Sequence, residues 1–124
     1  MTDSAAAATG PAHPPAREPE DLGRFFVERA NAADVEGLVA LYEPDAVLAT
    51  GSGLARGREQ IRQALAQFLA GRPVLTGQSQ PALRSGELAL TSTRFPGGAT
   101  AEIARRQDDG SWLWIADQPR IVAG

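Results

Sequence analysis

From residue 20 onward, apolar positions recur at three- and four-residue steps. Leu22, Phe25 and Phe26, followed by Arg29 and Ala30, predict a helix with a single apolar stripe. Glu20 and Asp21 put negative charge at its start, where the helix dipole favours it. Asn31-Ala32-Ala33-Asp34 interrupts the pattern, and Asp34 is suited to cap a second helix. That helix carries Val35, Leu38, Leu41 and Tyr42 on its apolar side and is expected to end at Pro44. Residues 46–50 read as a short strand closed by Gly51-Ser52-Gly53. Gly57 then leads into a third helix, with Ile61, Leu65, Phe68 and Leu69 on one face and Gly71 and Pro73 as its stop.

Beyond Pro73 the period changes to two. Residues 74–83 form a predicted strand that Gly77 and Pro81 mark as bulged or at an edge. Ser85-Gly86, Pro96-Gly97-Gly98 and Asp109-Gly110 separate it from strands expected over 87–95, 100–107 and 112–118. Three successive hairpin connections behind a run of helices make an α+β domain, whose helices must cover one face of an antiparallel sheet. The last strand has apolar residues on both faces, Trp112, Trp114 and Ala116 against Leu113 and Ile115. One face can pack on helices; the other also wants cover, which a second subunit could provide.

Residues 1–19 stand apart. Four alanines at 5–8 are followed by Pro11, Pro14, Pro15 and Pro19, which forbid a continuous helix, so this stretch is expected to be a disordered tail before a single domain over 20–124. With 124 residues, 43% of them hydrophobic, one core suffices and no staple is required. The absence of cysteine excludes disulfides, thiolate catalysis and zinc–thiolate or iron–sulfur sites. The single histidine, His13, lies in the tail, which argues against a metal site and against histidine acid–base chemistry. The net charge is −3 and the basic residues are scattered, so nucleic-acid binding is disfavoured. No apolar run is long enough to span a bilayer, and the N-terminus has no signal-peptide pattern; a cytoplasmic location is expected.

Several phrases occur in a telling order: Asn31-Ala32-Ala33-Asp34, residues 38–47 (LVALYEPDAV), Gly57-Arg58-Glu59-Gln60-Ile61-Arg62, residues 105–112 (RRQDDGSW) and Asp117-Gln118-Pro119. Together they resemble the SnoaL-like branch of the nuclear transport factor two-like superfamily, which includes ketosteroid isomerases and polyketide cyclases. The resemblance covers about residues 20–119. It implies a cystatin-like cone: a bent antiparallel sheet wrapped around three N-terminal helices, with an apolar pocket at the open end. It also implies a homodimer formed through the outer face of the sheet.

The isomerase members use a carboxylate base after the first strand, a tyrosine on the first helix and an acid deep in the sheet. Laid on that pattern, this chain has Thr50 in the base position, Phe26 in the tyrosine position and a residue near Ala104 in the third. A lone threonine cannot abstract a carbon-bound proton, and a phenyl ring cannot donate to an oxyanion. Steroid-type isomerisation is therefore not expected.

Other acids and bases remain as candidates. Asp45 follows Pro44 at a turn, where bonding to local backbone is the ordinary role. Asp117, at the end of the last strand, either bonds loop backbone or points into the pocket mouth. Glu102 is expected on the solvated outer face if Ile103 faces the core; in the reverse register it is a buried acid with a raised pKa. Arg94 alternates with Leu88, Leu90 and Ser92 and either fixes an anionic ligand or reaches to solvent past the buried zone. Phe26, Tyr42 and Trp114 are the aromatic residues expected to line the pocket, and only Tyr42 combines bulk with a polar tip that can both donate and accept.

The reading is a domain that binds a small hydrophobic molecule without metal or cofactor, through Phe26, Tyr42, Thr50, Arg94, Glu102, Trp114 and Asp117. Two alternatives accompany it. One is a cofactor-independent isomerase, cyclase or hydrolase of a polyketide- or steroid-like compound; the other is a dimeric association module.

Overall fold

A computed structural model describes residues 13–122. Helix α1 (Pro19–Asn31) opens with proline at its first position, and the Asp21 carboxylate accepts from the backbone N–H groups of Arg17 and Glu18. It buries Leu22, Phe25, Arg29 and Ala30, while Phe26 is half-buried. Helix α2 (Val35–Val39) is capped by Asp34, whose carboxylate accepts from the Gly37 N–H at 3.0 Å. Helix α3 (Gly57–Ala70) buries Ile61 and Leu65. Phe68, expected on the same face, is 42% exposed.

The strands are β1 (Tyr42–Thr50), β2 (Gly53–Arg56), β3 (Gln78–Ser79), β4 (Leu83–Ser85), β5 (Leu88–Thr91), β6 (Thr93–Phe95), β7 (Gly98–Arg106) and β8 (Trp112–Ile121). They form one curved, unclosed sheet in the order β2-β1-β8-β7-β5-β4, with β6 pairing β7 and β3 pairing β6. All pairs are antiparallel except β1 with β8. The architecture is thus α+β, with three helices against one face of the sheet.

Several boundaries differ from the sequence expectation. Tyr42 is not on the second helix but begins β1, and Pro44 sits inside that strand. The strand tolerates proline because the β1–β8 register shifts between Tyr42 and Val47, so residues 43–46 carry no ladder partner on that side. The expected strand over 74–83 is mostly irregular, retaining only Gln78–Ser79 and the start of β4 at Leu83. The strand over 87–95 is broken at Ser92 into β5 and β6.

Part of the stretch expected to be a tail is held on the fold. Ala16 is buried and bridges to Trp112, Arg29 donates to the Pro14 carbonyl at 3.0 Å, and His13 Nε2 lies 2.9 Å from Asp34. Residues 13–18 are therefore packed on the fold, whereas the alanine run and Pro11 lie outside the described residues.

Each face of the sheet has its own apolar set. Ala55, Ala89, Ala104, Trp112 and Trp114 join the helices in the core, with Tyr42, Leu22, Leu38 and Ile61 fully enclosed. Leu54, Leu88, Leu90 and Ile103 are exposed on the opposite face, Leu90 at 48% and Ile103 at 41%.

Candidate functional site

One irregularity in β8 decides what the interior contains. Strict alternation from Trp112 and Trp114 would send Ala116 inward and Asp117 outward. Instead Ala104 of β7 pairs with Trp114 while Ile103 pairs with Ala116, leaving Ile115 as an extra residue in β8. A bulge of this kind reverses the facing of everything beyond it. Ala116 therefore shares the outer face with Ile103, and Asp117, in register with Glu102, turns inward. Both carboxyls are buried, Glu102 at 3% and Asp117 at 6% exposure.

Each acid has a hydroxyl partner. The Tyr42 hydroxyl donates to Asp117 Oδ2 at 2.6 Å, and the Thr91 hydroxyl donates to Glu102 Oε1 at 2.6 Å. Thr91 in turn accepts from the indole Nε1–H of Trp114 at 3.0 Å. Thr91 is the register partner of Glu102 across β5 and β7, so one row of neighbouring strands supplies Thr91, Glu102 and Asp117. The Trp114 ring packs between Tyr42 and Phe26, with ring centres 5.4 Å and 5.9 Å away. The remaining Asp117 oxygen, Oδ1, is buried and has no hydrogen-bond partner among the described residues.

Burial, and after it the charge of Asp117, pushes the Glu102 carboxyl up to about 7. Burial raises Asp117 to about 6, against the opposing effect of the Tyr42 hydrogen bond. Burial, followed by the Asp117 charge, drives the Tyr42 phenol well above its ordinary 10. Two adjacent acids in an apolar setting cannot both ionise cheaply, so the pair retains a proton near neutral pH. A neutral carboxyl can donate a hydrogen bond, which a carboxylate cannot.

The cluster draws together Tyr42, Glu102, Trp114 and Asp117 from the expected set, with half-buried Phe26 against its edge. Glu102 is not solvated as expected: Ile103 faces outward, so the reverse register holds. Arg94 is exposed on β6 and apart from the cluster, as its neighbours in the alternation, Leu88 and Leu90, face outward. The Thr50 hydroxyl is used in the β1–β2 turn, donating to the Gly53 carbonyl at 3.2 Å. Asp45 is exposed. Thr50 and Phe26 stand where the isomerase members keep an acid and a phenol, but Tyr42 and Asp117 bring a phenol and an acid together from β1 and β8. The sequence pattern does not single out Thr91, because Leu88 and Leu90, which alternate with it, are more hydrophobic yet face outward.

Two hollows border the sheet. One of about 300 Å³ borders the outer face and is lined by Val47, Leu54, Leu90 and Ile103 together with Glu102 and Asp117. Another of about 530 Å³ lies near the β7–β8 turn, against Arg105, Arg106, Asp109 and Leu113. Among the described residues no three His, Cys, Asp or Glu side chains converge as a metal site. No described helix is long and apolar enough to cross a membrane.

The SnoaL-like domain family model matches residues 23–123, nearly the whole described fold. The chain belongs to the SnoaL-like family. No curated protein matches this SnoaL-like domain. Among solved structures it is similar to a nuclear transport factor two-like protein with a cystatin-like fold from Novosphingobium aromaticivorans, at TM-score 0.68 and 18% identity over 85% of this chain and 80% of that one. A Thiobacillus denitrificans protein provisionally assigned as a calcium/calmodulin-dependent protein kinase type II association domain gives TM-score 0.70 and 14% identity, covering 88% of this chain and 100% of that one. A ketosteroid isomerase-like protein from Erwinia carotovora atroseptica gives 0.62 and 17%, over 79% and 88% of the two chains. At such identities these likenesses establish the cystatin-like fold of the SnoaL-like domain and nothing finer.

Proposed function

We propose that this SnoaL-like domain binds a small, uncharged, largely apolar molecule against the Glu102–Asp117 pair, where a protonated carboxyl donates to an oxygen of the ligand. The unpartnered Oδ1 of Asp117 carries this reading. A buried polar atom without a partner costs about 1–3 kcal/mol, and a ligand that completes it recovers that cost. Arginines near the core are engaged elsewhere: Arg29 on the Gly37 and Pro14 carbonyls, Arg58 on the Tyr42 carbonyl. An anionic ligand would meet acids with no compensating base, which favours ketones, lactones, epoxides and related neutral compounds. Phe26, half-buried beside Trp114, packs at the edge of the cluster.

Acids poised near neutrality suit proton transfer at physiological pH. The catalytic extension of the proposal is a cofactor-independent isomerisation, cyclisation or hydrolysis, in a cytoplasmic setting. Thermal-shift screening of neutral oxygen-bearing hydrophobic compounds at pH 5.5 and pH 8 tests the binding. A ligand at a hundred times its dissociation constant adds about 2.7 kcal/mol. Stabilisation should be larger at pH 5.5 than at pH 8, and this pH dependence should vanish in the Glu102→Gln/Asp117→Asn double variant, whose amides donate at either pH; a pH dependence unchanged by that variant would sink the proposal.

A separate observation supports self-association. The outer hollow and the exposed Leu54, Leu88, Leu90 and Ile103 form one apolar face, the kind of surface a second copy would cover. The Thiobacillus neighbour's provisional name as an association domain points the same way.

A further inference from the structure

The phrase Gly57-Arg58-Glu59-Gln60 belongs to the resemblance but has no part in the cluster described above. Gly57 adopts φ +80, a conformation that other residues reach only with strain, and turns the chain from β2 directly into α3. Gln60 fixes the start of the helix by accepting from the Arg56 N–H at 2.8 Å. Arg58 is thereby held in the first turn of α3. Its Nε and Nη2 both donate to the carbonyl of Tyr42, at 2.9 Å and 2.6 Å.

That carbonyl needs an outside donor. The Trp114 N–H donates to the Leu41 carbonyl at 2.8 Å. In a parallel bridge of this kind the Tyr42 carbonyl points away from β8. On that far side β2 pairs only with residues from Val47 to Thr50, so no strand reaches Tyr42. Glu43 does not draw Arg58 away, because Arg105 and Gln107 already engage its carboxylate. Tyr42 is also the last residue before the register shift in β1, where the ladder fixes the backbone least.

We propose that Arg58 is a positioning residue: its two-pronged grip on the Tyr42 carbonyl holds the Tyr42 hydroxyl against Asp117. Arg58 touches neither carboxyl of the pair and acts only through the backbone of Tyr42. For ligand binding the assignment rests on the function proposed above, but the hydroxyl–carboxyl geometry is measurable without any ligand.

The test compares Arg58→Met, Arg58→Lys and Tyr42→Phe in the full chain. The Asp117 carboxyl is titrated by carbon-13 NMR, and the ring Cζ signal of Tyr42 is followed as well, unambiguous because this is the only tyrosine. Loss of the phenol donor should move the Asp117 midpoint upward by about half a pH unit or more. Folded Arg58→Met should reproduce the direction of the Tyr42→Phe shift and move the Cζ signal, while Arg58→Lys, with a point charge in place of the fork, should fall between it and wild type. A folded Arg58→Met protein with wild-type Asp117 and Cζ behaviour overturns the proposal. So does failure of both arginine variants to fold, since the residue would then be purely structural. Absence of any ligand would defeat the proposed function yet leave these shifts in place.

Discussion

Replacing Glu102 by glutamine removes the most perturbed acid while keeping its shape and an oxygen to accept from Thr91. In the folded protein this carboxyl is raised to about 7 from an ordinary 4.5, through burial first and the Asp117 charge second. Between those values the folded state binds more protons than the unfolded state, so stability falls as pH rises. The stabilising contribution is complete below about 4.5 and is lost as pH passes through about 7. At about 1.4 kcal/mol per pKa unit, the loss is on the order of 3 kcal/mol. Asp117 is raised as well, to about 6, and titrates jointly with Glu102, so the figure belongs to the pair rather than to one residue. The carboxylates held low by ion pairs or backbone donors, such as Glu43 and Asp34, work in the opposite sense and only below this window. Urea denaturation at pH 5, 6, 7 and 8 should show wild type losing stability with rising pH, and Glu102→Gln losing about half as much or less. At pH 8 the variant should be the more stable protein. A wild-type profile that is flat or rises from pH 5 to pH 8 would refute the reasoning.

Three other substitutions probe neighbouring parts of the account. Thr91→Val strips the hydroxyl between Trp114 and Glu102, leaving two buried groups without their partner, and should cost about 2–4 kcal/mol by urea denaturation with a change in tryptophan emission. Phe26→Ala removes a half-buried ring from beside Trp114; it should cost about 2–3 kcal/mol, at or below the lower end for core phenylalanines, and enhance binding of small apolar compounds seen by thermal shift. Ile103→Lys places a charge in the outer apolar face, so sedimentation should show wild-type dimers and a folded monomeric variant.

Much of this fold is legible in the sequence because its punctuation is local. Asp34 as a cap, Gly57 before a helix and Asp109-Gly110 as a turn each act through their own backbone. In the sequence Leu38, Leu41 and Tyr42 continue a helical stripe, and only the Tyr42–Trp114 pairing with a distant strand makes Tyr42 extended. The inward turn of Asp117 depends on the bulge at Ile115, a property of the β7–β8 register that alternation along one strand cannot reveal. Glu102 followed the same logic: Ile103 is the more hydrophobic neighbour, yet it faces outward into an apolar surface while the acid goes inside. Where both faces of a sheet are apolar, hydrophobicity alone does not say which is the core.

The most direct measurement is a carbon-13 NMR titration of the Glu102 and Asp117 side-chain carboxyls in the wild-type protein. Midpoints near 7 and 6, coupled so that Asp117→Asn lowers the Glu102 midpoint, would establish a pair that keeps a proton inside the sheet. Both carboxyls titrating at or below their ordinary 4.5 and 3.8 would contradict it.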